Sequence, residues 1–236
     1  MRQIGSLVLD PEPDTLTFDC YGTLIDWERG IADALSPVLA RHGHPIAEEA
    51  LLERYALIES ALEAGPYLPY REVLRRALDA FGARLGFEPT AAERDAFGAS
   101  VADWPAFADA PAALRMLKTR YRLVILSNVD DDLFAASATR LGVAFDDVIT
   151  AQQVESYKPA LRNFEVAIER VGPRERILHV AQSLYHDIAP ARAVGLRAVW
   201  VNRRVGRAGS GATAPSDARP EAEVLDLRTL ANLLVD

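Results

Sequence analysis

The chain has 236 residues, 50% hydrophobic and 25% charged, with a formal net charge of −8. This is an ordinary globular composition, long enough for one large domain or for a core domain carrying an inserted module. The acidic balance argues against nucleic acid and anionic membrane surfaces as partners, because both want a basic face; an anionic small molecule stays open to a local cluster of Arg and Lys. Cys20 is the single cysteine, so no intrachain disulfide forms, and no long apolar segment near the start reads as a signal peptide or membrane span. The expected compartment is the cytoplasm.

Taken in order, residues 1–14 hold Pro11 and Pro13 and read as a lead without regular structure. A short apolar, β-prone run over 15–19 ends in Asp19, and Tyr21-Gly22-Thr23 follows as a turn. From Ile31 the period changes. Ile31, Ala34, Leu35, Val38 and Leu39 recur at helical spacing, then Leu51, Leu52, Tyr55, Ile58 and Leu62, then Val73, Leu74, Ala77, Leu78 and Phe81. Gly43, Gly65-Pro66 and Gly86 punctuate these helices, and no alternating pattern interrupts them. Beyond Trp104-Pro105 strands and helices alternate. Strands are expected at 123–127, 148–151, 177–181 and 198–201, and helices at 110–119, 133–141, 163–171 and 188–194. Gly142, Gly172 and Gly195 close three of those helices. Residues 206–220, rich in Gly, Ala, Ser and Pro, read as a mobile loop before a last strand near 222–225 and a helix over 227–234. The alternation predicts an α/β fold, a Rossmann-like parallel sheet with a helical block inserted after its first strand. The expected division is a core of 1–28 with 100–236 and a helical domain of 29–99.

Asp19 would stand at the carboxyl end of a buried central strand, where open sheets place their ligands. A carboxylate there acts as a nucleophile when water is excluded and a cation holds it. Lys158, before Pro159, is the natural cation and would lower the Asp19 pKa. Ser127 and Asn128 end the neighbouring strand and can donate hydrogen bonds to an anionic group, although the same residues also suit a plain turn or N-cap.

Four segments in order, Phe18-Asp19-Cys20-Tyr21-Gly22-Thr23, Leu126-Ser127-Asn128, Lys158-Pro159 and Ala181-Gln182-Ser183-Leu184-Tyr185-His186-Asp187, resemble the motifs of the haloacid dehalogenase superfamily. The resemblance covers most of the chain and implies a catalytic core with a helical cap. Phosphatases of the superfamily carry a second aspartate two residues after the nucleophile and an acid early in the fourth motif. Here those positions are Tyr21 and Gln182, which disfavours both a magnesium site and a leaving-group acid. A halide leaves without a proton, so the resemblance points to the 2-haloacid dehalogenases, which form an ester on the aspartate and then hydrolyse it. It implies Asp19 as nucleophile, Lys158 as its cation and Asp187 as the group that activates water. Tyr21, Thr23, Arg54, Ser127, Asn128, Gln182, Ser183 and His186 would contact substrate or intermediate, with Arg54 reaching in from the cap. Phe164 and the run Ala181-Gln182-Ser183 depart from the dehalogenase pattern. Trp27, Tyr67 and Tyr70 are candidate pocket aromatics. No cofactor and no metal is expected; the partner is a small 2-haloacid, not nucleic acid or membrane, and a homodimer is implied. The alternatives are a phosphatase with a degraded metal site and a non-catalytic binding protein on the same fold.

Overall fold

Leu16-Thr17-Phe18 and Leu123-Val124-Ile125-Leu126 are runs of consecutive buried residues, which suits strands covered on both faces. A computed structural model describes residues 2–207 and 209–235; Met1, Ala208 and Asp236 lie outside the described residues. In it β3 (Thr15–Phe18) lies at the centre of a six-stranded sheet of order β5-β4-β3-β6-β7-β8. The other strands are β4 (Arg122–Ser127), β5 (Asp147–Thr150), β6 (Ile177–Ala181), β7 (Arg197–Val201) and β8 (Glu223–Val224), and every pairing is parallel. The chain builds outward from β3 through β4 and β5, then returns to the other side of β3 for β6. The winding therefore reverses at β3, and the crevice at that reversal is where such sheets hold ligands. Asp19, Ser127 and Gln182 stand at the carboxyl ends of the three central strands.

The connecting helices are α5 (Ala110–Lys118), α6 (Asp131–Leu141), α7 (Ala151–Val154), α8 (Leu161–Val171) and α9 (Ala189–Ala193), with α10 (Leu227–Val235) closing the chain. Among the described residues no helix is long and apolar enough to cross a membrane. Between β3 and β4 come α1 (Trp27–Arg41), α2 (Glu48–Glu63), α3 (Tyr70–Leu85) and α4 (Ala91–Ala99), with no strand among them. Their apolar faces join the sheet in one core that runs from Leu16 and Phe18 through Ile31 and Leu35 to Leu51, Val73 and Phe81. A second core on the opposite side of the sheet holds Val124, Leu126, Phe164, Ile188 and Ala198. The α3 N-terminus is docked in trans. Neither Pro69 nor Tyr70 caps it; instead Asp130, just after β4, accepts from the backbone N–H groups of Tyr70 (2.8 Å) and Arg71 (3.0 Å).

Two expectations are corrected. The lead holds a hairpin of β1 (Arg2–Ile4) and β2 (Leu7–Leu9), antiparallel, with Gly5 at φ +58° in the turn. Pro11 and Pro13 fall after β2 and cost it no hydrogen bond, while Ile4, Leu7 and Leu9 are buried. The segment expected to be mobile over 206–220 is anchored in part. Ala212 and Thr213 are buried, the Ala212 N–H donates to Glu28 Oε1 at 3.0 Å, and the Thr213 hydroxyl donates to Gln182 Oε1 at 3.3 Å.

Candidate active site

At the crevice a lysine lies between two carboxylates. Lys158 Nζ donates to Asp19 Oδ1 at 2.9 Å, Asp187 Oδ1 at 2.6 Å and the Leu126 carbonyl at 3.0 Å. All three side chains are buried. Asp187 reaches this position because the chain makes a wide turn, with Asp187 and Ile188 both donating backbone N–H to the Ser183 carbonyl. The sequence pattern suggested a helix from 188; the structure places a π-type turn over Leu184–Ile188 before α9, and such turns often serve functional sites. Behind Asp187, His179 Nε2 lies 3.0 Å from Oδ1 and its Nδ1 lies 2.9 Å from the Thr17 hydroxyl, an arrangement in which Nε2–H donates to the carboxylate. Burial pushes Asp187 up, but Lys158 and His179 outweigh it and hold the carboxyl below its usual range. For Asp19 the balance is reversed. Burial, aided by Asp187, raises its pKa despite the opposing pull of Lys158 and Thr23. Lys158 thus acts in the expected direction, but the net shift of Asp19 is upward.

Thr23 supports Asp19 from the turn. Its hydroxyl donates to Asp19 Oδ2 at 2.6 Å and accepts from the Gln182 N–H at 2.8 Å, so it is spent on positioning and does not line the cavity. Gly22 makes the turn feasible, with φ +95°; a Cβ there would lie 3.0 Å from Trp27 Nε1 and 3.1 Å from Gln182 Oε1. Asn128 clamps the lysine backbone, accepting from the Lys158 N–H at 2.7 Å and donating to its carbonyl at 3.0 Å. The hydroxyl of Tyr21 turns away to Ser137 at 3.0 Å, leaving its ring against the cavity. Burial lowers the His186 pKa to about 4, so the imidazole is neutral at pH 7.

The cavity above Asp19 is about 30 Å³, room for a water or two. It is lined from the sheet by Asp19, Tyr21, Ser127, Asn128, Lys158, Gln182, Ser183, His186 and Asp187, and from the helices by Trp27, Glu59, Glu63 and Tyr70. Two of these groups, Ser127 Oγ and Asp187 Oδ2, are buried and have no partner among the described residues. A second space of about 360 Å³ shares Glu63, Lys158 and His186 with the first and is bordered by Tyr67, Tyr157 and Tyr185. The site is therefore closed above Asp19 and has an antechamber beside it.

Arg54 is not part of this wall. It is exposed on α2, as are Glu53 and Leu57, and the cavity meets Glu59 and Glu63 instead. Helix phase explains the correction: Glu59 and Glu63 share a stripe with buried Leu52, and Arg54 lies roughly half a turn around the helix from Glu63 at about 100° per residue. That stripe was the available signal, because an acid in register with Leu52, Tyr55 and Ile58 faces inward. Glu59 Oε1 accepts from both Tyr55 and Tyr70, each at 2.8 Å, which leaves its other oxygen for the cavity. Burial raises Glu59 to about 7 against the pull of those two phenols, and raises Glu63 well above the usual range. Glu63 Oε2 lies 3.4 Å from Asn128 Nδ2 and 4.0 Å from His186 Nε2.

A magnesium ion does not fit these donors. The Asp19 and Asp187 oxygens that converge are both bonded to Lys158 Nζ, Tyr21 offers no carboxylate, and the described residues hold no group of three or more acids, histidines or cysteines arranged for a metal.

A buried aspartate at the end of a central parallel strand, paired to a lysine and covered by helices inserted after that strand, is an arrangement in which a carboxylate can serve as a nucleophile. The family model for haloacid dehalogenase-like hydrolases matches residues 13–195, and the chain belongs to that family. Among curated relatives, an (S)-2-haloacid dehalogenase of Pseudomonas fluorescens is 29% identical over 226 residues, covering 93% of this chain and 95% of its own. A phosphoserine phosphatase of Thermus thermophilus is 33% identical over 195 residues, covering 79% and 73% respectively. Among solved structures, the L-2-haloacid dehalogenase of Xanthobacter autotrophicus shares the fold with a TM-score of 0.78 at 21% identity, over 94% of this chain and 98% of its own.

Proposed function

We propose that this protein hydrolyses a carbon–halogen bond through an ester on Asp19, without a metal, with the helices of 29–99 as the cap over the site. An Asp19 carboxylate oxygen attacks the halogen-bearing carbon, the carbon–halogen bond breaks, and the halide leaves with the electron pair. Water then attacks the carboxyl carbon of the ester. Asp187 Oδ2, buried and unpartnered, takes one water proton and returns it to the departing alkoxide, which leaves as the alcohol with an oxygen that came from Asp19, while the regenerated Asp19 carboxyl releases the other proton to solvent. Lys158 stays between the two carboxylates, Thr23 and Gln182 hold Asp19 in line, and Ser127 Oγ is the free group beside the reacting carbon. The observation that carries the reading is Tyr21. A halide needs no proton to leave, and the residue two places after Asp19 can supply none, its hydroxyl being turned to Ser137.

A phosphatase reading has the 33% identity to a phosphoserine phosphatase in its favour, and the same Tyr21 against it. Assays separate the two. We expect halide release in EDTA from (S)-2-chloropropionate or its neutral amide, and none from Asp19→Asn. Magnesium-dependent phosphate release with no halide release would reverse the assignment. In a single turnover in H₂¹⁸O with enzyme in excess, the product should be unlabelled and Asp19 labelled. Labelled product would mean direct attack by water.

A further inference from the structure

The substrate named for the dehalogenase relatives is an anion, and a carboxylate entering this cavity would need a cation. Lys158 is the only Lys or Arg among the described residues that line it, and its three N–H bonds already go to Asp19, Asp187 and the Leu126 carbonyl. His186, the other basic side chain on the wall, is buried with its Nε2 toward Glu63. Opposite Asp19 the helices present Glu59 and Glu63. With both of these protonated, Asp19, Asp187 and Lys158 still sum to one net negative charge. A substrate carboxylate doubles that charge in a closed space, whereas a cation cancels it.

The acidic wall is not accounted for by internal pairing. Glu59 is oriented by Tyr55 and Tyr70 on one oxygen only, and Tyr70 is itself fixed by Asp130 at the start of α3. Glu63 Oε2 has only a long contact to Asn128 at 3.4 Å and His186 beyond it at 4.0 Å. Independently, Ser127 and Asp187 line the same cavity, and Ser127 Oγ and Asp187 Oδ2 are buried with no partner among the described residues. Groups left unpaired in this way are costly unless a ligand or water meets them. Ser127 and Asp187 line the cavity from the sheet side with Asp19, and Glu59 and Glu63 are the acids that line it from the helices.

Resting on the dehalogenation reading above, we infer that the non-reacting end of the substrate is a cation, an alkylammonium held by Glu59 and Glu63 while its halogen-bearing carbon faces Asp19. The class is an ω-haloalkylamine in its protonated form, and its hydrolysis gives an amino alcohol and halide. The relatives' 2-haloacids would be poor ligands here.

The binding arm uses unreactive probes, so it does not depend on turnover. Titration of the wild-type protein with propylammonium, propionamide and propionate by calorimetry should show propylammonium binding at least tenfold more tightly than propionate, with the amide between. In Glu59→Gln/Glu63→Gln, checked for folding by its thermal transition, that preference should collapse to within about twofold. Equal or tighter propionate binding by the wild type overturns the inference, including the case in which protonated Glu59 and Glu63 donate to a carboxylate; propionate would then bind more tightly as pH falls below 7. The turnover arm measures halide from 3-chloropropylammonium, 3-chloropropionamide and 3-chloropropionate. Halide from none of them, with the ammonium preference intact, removes the dehalogenase reading and leaves the cation site. Halide from the acid in preference to the amine removes the inference and leaves the dehalogenase.

Discussion

Glu59 is a buried carboxyl whose pKa stands at about 7 against an ordinary 4.5. Below 4.5 both folded and unfolded forms are protonated and the residue is neutral to stability. As pH rises, the unfolded form ionises first, so folding loses ground until the folded group also ionises near 7. The total is on the order of 3 kcal/mol for a shift of this size. Glu59→Gln removes the titration. Urea unfolding at pH 4.5 and pH 8 should show the variant gaining on wild type across that interval, and parallel pH curves would mean the carboxyl is ionised throughout. At this scale the chain was unevenly legible. The pairing of Asp19 with Lys158 could be read because each adjoins a strand end or a Pro turn that gives it an address. Arg54 lies outside the cavity wall because of its phase on α2, which its residue type alone does not reveal. The net rise of Asp19 was hidden because it depends on burial and on Asp187, 168 residues later in the chain.

At the scale of elements, α1 shows how a helix is set against the sheet by the absence of a side chain. Gly30 is the fourth residue of α1, where glycine costs up to about 1 kcal/mol relative to alanine. A Cβ at this position would stand 2.2 Å from the Trp104 ring. Trp104 is almost fully buried and meets Tyr21 edge to face at 5.6 Å, so it cannot simply move aside. Gly30→Ala should therefore destabilise the fold by roughly 1–3 kcal/mol through overpacking, despite the better helix propensity. A higher melting temperature in the variant would show that the ring yields. The helical block was readable from period alone, since Val73, Leu74, Ala77, Leu78 and Phe81 repeat as expected and are buried. The β1–β2 hairpin was not, because three-residue strands offer too short a pattern and the nearby prolines masked it.

At the scale of the whole molecule, residues far apart in sequence close the structure over the site. Buried Glu28 on α1 binds Arg204 and Arg207 through Oε2 and the Ala212 N–H through Oε1. Gly211 lies at φ +65°, and a Cβ there would be only 1.8 Å from Glu28 Oε1, so the loop can lie down only as glycine. Arg204 and Arg207 also reach Glu49 on α2, each at 2.8 Å. The two acids should differ in weight. Glu28→Gln takes one carboxylate from Arg204, 9% exposed, and one from Arg207 while Glu49 still meets both, and should cost roughly 1–3 kcal/mol. Glu49 is 46% exposed, and Glu49→Gln should cost under about 1 kcal/mol. Urea midpoints of the two variants test the contrast, and equal losses would place the anchor elsewhere. Composition suggested a mobile loop over 206–220; the anchor is a property of Glu28, which nothing local in that loop announces.

The chain has three tryptophans. Trp104 is locked against Gly30, but Trp27 lines the inner cavity, and Trp200 donates through Nε1 to the Gln182 carbonyl at 2.7 Å, directly behind the turn that holds Asp19. In the proposed cycle a negative charge in that cavity disappears when the ester forms and returns when water cleaves it. Indole emission responds to charge and polarity at such range, so the protein carries its own optical reporter. Rapid mixing with substrate, read as ultraviolet fluorescence without any attached dye, would time the two halves of the reaction separately.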